Sequence, residues 1–348
     1  MIRERKKETK TDTVLLILVL LLAVFGLVML FSISEYNGRV RFGDSAYYFK
    51  KQLFATALGL MTMYIVAETD YRFFVRLAPA AYLLSMGLST AVLFVGQEIN
   101  GSRRWLNFGP LSFQPSEFAK AAVILFLTWQ IQGSKKTTAG FWFMCRTMLT
   151  LLPIVGLVGS NNLSTAIIIL GIGVILIFIS DPGYARFVGK DHIILGFRHK
   201  SQFLQAAAKS SSEKPAASNS IKSLNGLKTL FILLRIPPYG KPFQTVALCC
   251  QKHCDHCCTS HSHSNKSGIF GILMWRLMVI ALHCRELQGT LLCVGIMSHM
   301  AIQVILNIAV VTNTIPNTGI TLPFISYGGT SVVFLLGEMG LALSVSRK

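Results

Sequence analysis

The sequence predicts an all-α polytopic membrane protein, and three observations predict it. Its composition is 52% hydrophobic and 14% charged, with a mean hydropathy of +0.54, whereas a soluble domain carries about 25% charged residues. Long apolar runs recur along the chain, most of them near the roughly 20 residues that cross a bilayer. The formal net charge is +18, and the Lys and Arg residues fall mostly between the apolar runs, where they set membrane orientation. That placement argues against nucleic acid as the partner of so basic a chain.

The runs cover residues 13–33, 46–67, 73–95, 116–132, 141–159, 163–180, 268–283, 290–311 and 323–345. Backbone in lipid must satisfy its own hydrogen bonds, so each run is expected to be a helix. The first follows a basic tail, residues 1–12, and no A-x-A-like site succeeds it, so it reads as a retained helix rather than a cleaved leader. Five Lys/Arg among the first ten residues place the N-terminus inside. Alternation then places Arg72, Arg76, Lys135, Lys136 and residues 181–190 inside, and loop 96–115 outside. Arg347 and Lys348 favour a cytoplasmic C-terminus, which puts 312–322 outside, 284–289 inside and the start of 268–283 outside. One crossing is therefore missing between 181 and 268. "DHIILGFRHKSQFLQ" is too polar to supply it, and "LKTLFILLRIPPYGKPFQTVALCC" holds three prolines and three basic residues. "AAAKSSSEKPAASNS" in the same interval has linker composition.

Two polar segments carry candidate chemistry. "INGSRRWLNFGPLSFQPSEFAK" joins Arg103, Arg104 and Trp105 to a Gly109-Pro110 turn and then to a helix start at Pro115 and Ser116. Glu117 and Lys120 share a helical face at i, i+3. Arginine forks suit phosphate, and ionisable groups near a membrane helix end are functional candidates. Snorkelling arginines beside an interfacial tryptophan are the plainer reading. "AIQVILNIAVVTNTIPNTGITLPFISYGGTS" sets Gln303 and Asn307 at i, i+4 in an apolar helix. It continues through Asn313, Asn317, Thr318 and Gly319 to Pro323, Gly328 and Gly329. Non-helical backbone at membrane depth is tolerated where it lines a cavity; ordinary polar helix packing is the alternative.

"NGSRRWLNFGPLSFQPSEFAK", "NNLSTAIIIL" and "VVTNTIPNTGITLPFISYGGTS" resemble the SEDS family (shape, elongation, division and sporulation proteins), and within it the FtsW/SpoVE branch more than RodA. The resemblance covers roughly 1–185 and 268–348. It implies a single membrane domain over 1–348, with about ten transmembrane helices, in the bacterial cytoplasmic (inner) membrane with both termini cytoplasmic. It further implies a glycosyltransferase that polymerises lipid II into peptidoglycan strands in septal or sporulation wall synthesis. The implied partners are a class B penicillin-binding protein and divisome or sporulation proteins. Lipid II is an undecaprenyl-pyrophosphate-linked disaccharide pentapeptide. The 4-hydroxyl of one sugar attacks the anomeric carbon of another, a carboxylate takes the proton, and cationic groups or a divalent cation (Mg or Mn) stabilise the leaving pyrophosphate. No organic cofactor is implied. Arg104, Glu117 and Lys120 match family positions at the outer cavity, with Arg104 and Lys120 expected on the pyrophosphate and Arg103 expected to bind substrate beside them. Gln303, Asn317, Ser326 and Tyr327 belong to the second polar segment and are expected to line the same cavity. A lipid II flippase or transporter is the competing function.

The family's essential aspartate lies in a motif P-E-A-x-x-D in a large outer loop. Here residues 190–267 hold an aberrant segment in place of the seventh helix and that loop. It contains "CCQKHCDHCCTSHSHS", with five of the eight cysteines and four of the eight histidines. Read one frame away, "LCCQKH" admits Leu-Leu-Pro-Glu-Ala, and Asp255 stands where the catalytic aspartate would follow. A shifted frame, from a sequencing error or a real lesion, explains the segment; only a real lesion would make this copy a damaged and inactive one. Cys254, Cys257, His261 and His263 also offer ligands of the kinds that bind zinc, and a diverged but genuine loop is the third reading.

Overall fold

The structure, a computed structural model, describes residues 11–99, 102–108, 111–133, 141–180, 266–312, 314–315 and 319–347. Among them are nine helices: α1 (Thr13–Phe42), α2 (Tyr47–Glu68), α3 (Tyr71–Val95), α4 (Pro115–Gly133), α5 (Phe141–Gly159), α6 (Leu163–Ser180), α7 (Lys266–His283), α8 (Leu287–Val311) and α9 (Thr330–Ser346). Each expected run is a helix. The sequence between 190 and 265, with the cysteine–histidine cluster and Asp255, lies outside the described residues.

Among the described residues, five helices are long and apolar enough to cross a membrane: 13–36, 71–95, 142–159, 163–180 and 287–311. The apolar helices over 269–283 and 330–346 are shorter. Two boundaries differ from expectation. α1 continues nine residues beyond 33, because Ser34–Phe42 still carries helix-compatible residues and Glu35 pairs with Arg39 one turn on at 3.4 Å. It stops at Gly43, whose φ of 72° is a left-handed cap. Its 30 residues rise about 45 Å, well beyond a hydrocarbon layer of about 30 Å. α9 starts at Thr330 rather than 323, because residues 319–329 form a non-helical loop in which Phe324 adopts a φ of 62°.

The start of α1 and the end of α9 meet at one end of the bundle, here the basal end. Asp12 caps α1 by accepting from Leu15 N at 3.0 Å, and its own N–H donates to Ser346 Oγ at 3.2 Å. Arg276 of α7 donates to the same carboxylate. Arg72 pairs with Glu286, and Arg347 with Glu68 at 2.8 Å.

At the opposite end, loop 96–115 contains a small antiparallel sheet not anticipated from the sequence: β1 (Gln97–Ile99), β2 (Ser102–Phe108) and β3 (Leu111–Phe113), ordered β1-β2-β3. Phe108 stands opposite Leu111 across a two-residue connection, where the Gly-Pro turn was expected. The sheet leads directly into α4 at Pro115.

Packing is closest where small residues remove side-chain bulk, as helices in lipid require. α2 lies against α9, and a β-carbon on Gly340 would come within 2.6 Å of Met63 O. On α1, a β-carbon on Gly26 would overlap Phe324 O. Gly26 lies 13 residues into α1, about 20 Å along it, so loop 319–329 re-enters the bundle to membrane depth.

Candidate functional site

The re-entrant loop is held by one stripe of α8. Gln303 Nε2 donates to Thr321 O at 2.8 Å, and Asn307 Nδ2 donates to Ile320 O at 2.9 Å. These are the i, i+4 amides legible in the sequence, and their role is to satisfy loop carbonyls that lipid would leave unpaired. Gln52 of α2 supports the loop from the other side, accepting from Gly328 N and Gly329 N at 3.4 and 3.2 Å.

Against this loop α4 presents Glu117 and Lys120, 6% and 1% exposed. Lys120 Nζ lies 3.0 Å from Glu117 Oε1 and donates to Gln303 Oε1 at 3.1 Å. Ser331 Oγ, at the start of α9, donates to Glu117 Oε2 at 2.8 Å. The charged pair is thus fixed by three helices and is fully desolvated, a condition tolerated only when each charge is paired. The network continues inward: His299 Nε2 lies 2.8 Å from Gln303 Oε1, and His299 Nδ1 lies 2.8 Å from Glu338 Oε2.

A narrow polar cleft adjoins the pair, walled by Gln114, Glu117, Lys120, Thr165, Gln303 and Thr321 among others. A second narrow cavity adjoins it, with Asn162 in both walls. Arg104 lines the second cavity, and its Nε donates to Asn161 O at 2.9 Å. A β-carbon on Gly319 would sit 3.5 Å from Arg104 Nη1, so the arginine bridges the α5–α6 junction and the re-entrant loop. The same cavity is lined by Ser89, Ser116 and Asn161, whose Oγ, Oγ and Nδ2 atoms are buried with no hydrogen-bond partner among the described residues.

Of the residues singled out in the sequence, the structure joins Glu117, Lys120 and Gln303 in one wall and sets Arg104 in the adjoining one. Arg103 lies on β2 opposite Glu98. Ser326 Oγ accepts from Leu322 N at 2.9 Å, within the loop itself. Tyr327 packs edge-on against Tyr48 of α2 with ring centroids 5.2 Å apart. Neither Ser326 nor Tyr327 lines the two cavities. Asn317 and Asp255 lie outside the described residues. Three participants were not singled out: His299, Glu338 and Ser331. His299 lies one turn before Gln303 on the same stripe, and Glu338 is a lone carboxylate in an apolar helix, a signal that marks function by default.

No three His, Cys, Asp or Glu side chains come together as metal ligands among the described residues. Glu117 is committed to Lys120 and Ser331. The described walls therefore do not fit a divalent cation by themselves, and no chemical step is derived through one.

A bundle of apolar helices around a re-entrant loop and a buried ion pair defines a multi-pass membrane protein with a polar cleft at one end. The chain belongs to the FtsW/RodA/SpoVE family of cell cycle proteins, which matches residues 12–197 and 267–348. It is 30% identical to the stage V sporulation protein E of Bacillus subtilis, covering 98% of each chain. It is also 30% identical to the probable peptidoglycan glycosyltransferase FtsW of the same organism, covering 98% of this chain and 92% of the relative. Among solved structures, it superposes on the rod shape determining protein RodA of Thermus thermophilus with a TM-score of 0.68, at 27% identity over 97% of each chain. A chain of a peptidoglycan synthase complex that coordinates polymerization and crosslinking gives 0.67, at 28% identity over 97% of this chain and 98% of that one.

Proposed function

We propose that this protein is a peptidoglycan glycosyltransferase that polymerises lipid II in septal or sporulation wall synthesis. Full-length similarity to relatives named as peptidoglycan glycosyltransferases supports the reaction class. The single structural observation that carries the reading is the desolvated Lys120–Glu117 pair facing a polar cleft beside Arg104.

The reaction forms a bond from a sugar 4-hydroxyl oxygen to an anomeric carbon and breaks the bond from that carbon to the pyrophosphate. The hydroxyl proton passes to a carboxylate, and the bonding pair leaves with the pyrophosphate. Glu117 is engaged twice over, so its part is to keep Lys120 charged and in place. Lys120 and Arg104 supply positive charge for the leaving group, stabilisation that strengthens where water is excluded. Arg103 adjoins Arg104 in sequence and belongs to the same anion-binding segment. Gln303 holds Lys120 and the loop that would carry Asn317, Ser326 and Tyr327. Asp255 is the carboxylate assigned to proton removal. A Mg or Mn ion, where the reaction uses one, would be held by the phosphates and by groups beyond those described.

The basal end, with the start of α1, the end of α9 and its basic residues, faces the cytoplasm of the bacterial inner membrane. The cleft then opens outward, where a class B penicillin-binding protein and divisome or sporulation proteins would meet it; similarity to a chain of a synthase complex supports such a partner. Incubating the purified full chain with lipid II tests the reading. Glycan ladders on a denaturing gel are expected. Lipid II translocation across vesicles without any polymer would overturn it in favour of a flippase.

A further inference from the structure

The polar network below the cleft fixes where its protons lie. Gln303 Nε2 faces Thr321 O at 2.8 Å, so the amide nitrogen is toward a carbonyl and Oε1 is toward the other partners. Those are Lys120 Nζ at 3.1 Å and His299 Nε2 at 2.8 Å. A carboxamide oxygen only accepts, so the network assigns the hydrogen to His299 Nε2. On the other side of the ring, Nδ1 faces Glu338 Oε2 at 2.8 Å. Two bare acceptors would repel at that distance, and two protons would collide. One proton therefore sits between them, and the pair is neutral overall whichever atom holds it. His299, Gln303 and Glu338 are all at most 2% exposed, so no solvent competes for these bonds.

We infer that His299 and Glu338 are positioning residues for Lys120. Glu338 fixes the imidazole so that Nε2–H points at Gln303 Oε1. That bond, with the one to Thr321, prevents the amide from turning its NH2 group toward the ammonium. Lys120 is then shared between Glu117 and Gln303, two of its three N–H groups are committed, and the third is left for the cleft. The residues act through Gln303 and touch no substrate. What Glu338 must supply is a hydrogen bond to Nδ1, not a negative charge. This inference rests on the cleft being the site of glycosyl transfer.

The test uses the purified full chain and lipid II. Glu338→Leu and His299→Ala are each expected to lower kcat/KM by about ten- to hundredfold, the size of a lost hydrogen bond around a charged group. Glu338→Gln can still donate an amide hydrogen to Nδ1, so it is expected to retain most of the wild-type rate, which loss of a merely structural packing residue would not predict. His299→Ala introduced into Gln303→Ala is expected to add no further loss. Glu338→Gln falling as far as Glu338→Leu, or additive effects in the double variant, overturns the inference. Solid-state 15N spectra of His-labelled chain in liposomes, with His299→Ala identifying the resonance, separate this from failure of the reaction class. If wild type makes no polymer, the glycosyltransferase reading fails alone. A ring with a protonated Nε2 upholds the assigned arrangement, and a bare Nε2 overturns it.

Discussion

Glu117 and Lys120 form an ion pair of 3.0 Å that is almost wholly withdrawn from solvent. Each charge depends on the other. Removing one leaves its partner buried and unpaired, at a cost of about 3–5 kcal/mol. Glu117→Ala is therefore expected to destabilise the detergent-solubilised chain strongly. Glu117→Ala combined with Lys120→Met is expected to recover part of the loss, since no bare charge remains. Thermal unfolding of the three proteins side by side checks this, and a double variant less stable than Glu117→Ala contradicts it.

Gly26 leaves room for the carbonyl of Phe324, so α1 and the re-entrant loop are one packing unit. Gly26→Val is expected to push the loop out of the bundle and abolish polymerisation. Gly87, which has open space around its β-position, should accept valine at much smaller cost. Limited proteolysis within residues 319–329 reports the displacement directly.

Gly340 serves the α2–α9 contact in the same way, with Met63 O 2.6 Å from its β-position. Gly340→Leu is expected to separate these helices and lower the thermal midpoint, as overpacking does at about 1–3 kcal/mol or more. Arg347→Ala, which removes a partly exposed pair to Glu68, is expected to cost at most about 1 kcal/mol.

Ser89 presents a buried hydroxyl without a partner among the described residues to the cavity of Arg104. Removing an unsatisfied group is close to neutral for stability. Ser89→Ala is thus expected to leave thermal unfolding unchanged while raising KM for lipid II, if this cavity receives a polar part of the substrate. A lowered midpoint with unchanged KM would show that the hydroxyl serves the fold instead.

The helices were legible because lipid imposes a simple rule: apolar length with internally satisfied backbone. The rule says nothing about where a helix yields to a loop: 323–329 fell inside an apolar run, and only Pro323, Gly328 and Gly329 signalled the break that Phe324 makes. The strands of 97–113 were hidden because β1 and β3 have three residues each and the seven of β2, Ser-Arg-Arg-Trp-Leu-Asn-Phe, do not alternate. Lys120, Glu117 and Gln303 were legible as charged or amide groups where apolar ones were expected. His299 and Glu338 were not, because they lie 39 residues apart in sequence and only the packing of α8 on α9 makes them partners. The placement of Ser326 and Tyr327 away from the cavities depends on loop hydrogen bonds and on Tyr48, which no sequence spacing encodes.

The central claim is that Lys120, presented at a polar cleft, stabilises the departing pyrophosphate. The most direct measurement is the initial rate of glycan formation from lipid II by purified wild type and Lys120→Met, with thermal unfolding confirming that both are folded. The account predicts ladders from wild type and a rate lower by about a hundredfold or more in the variant, in line with loss of a preorganised electrostatic group. Equal rates in the two proteins, with both folded, would contradict it.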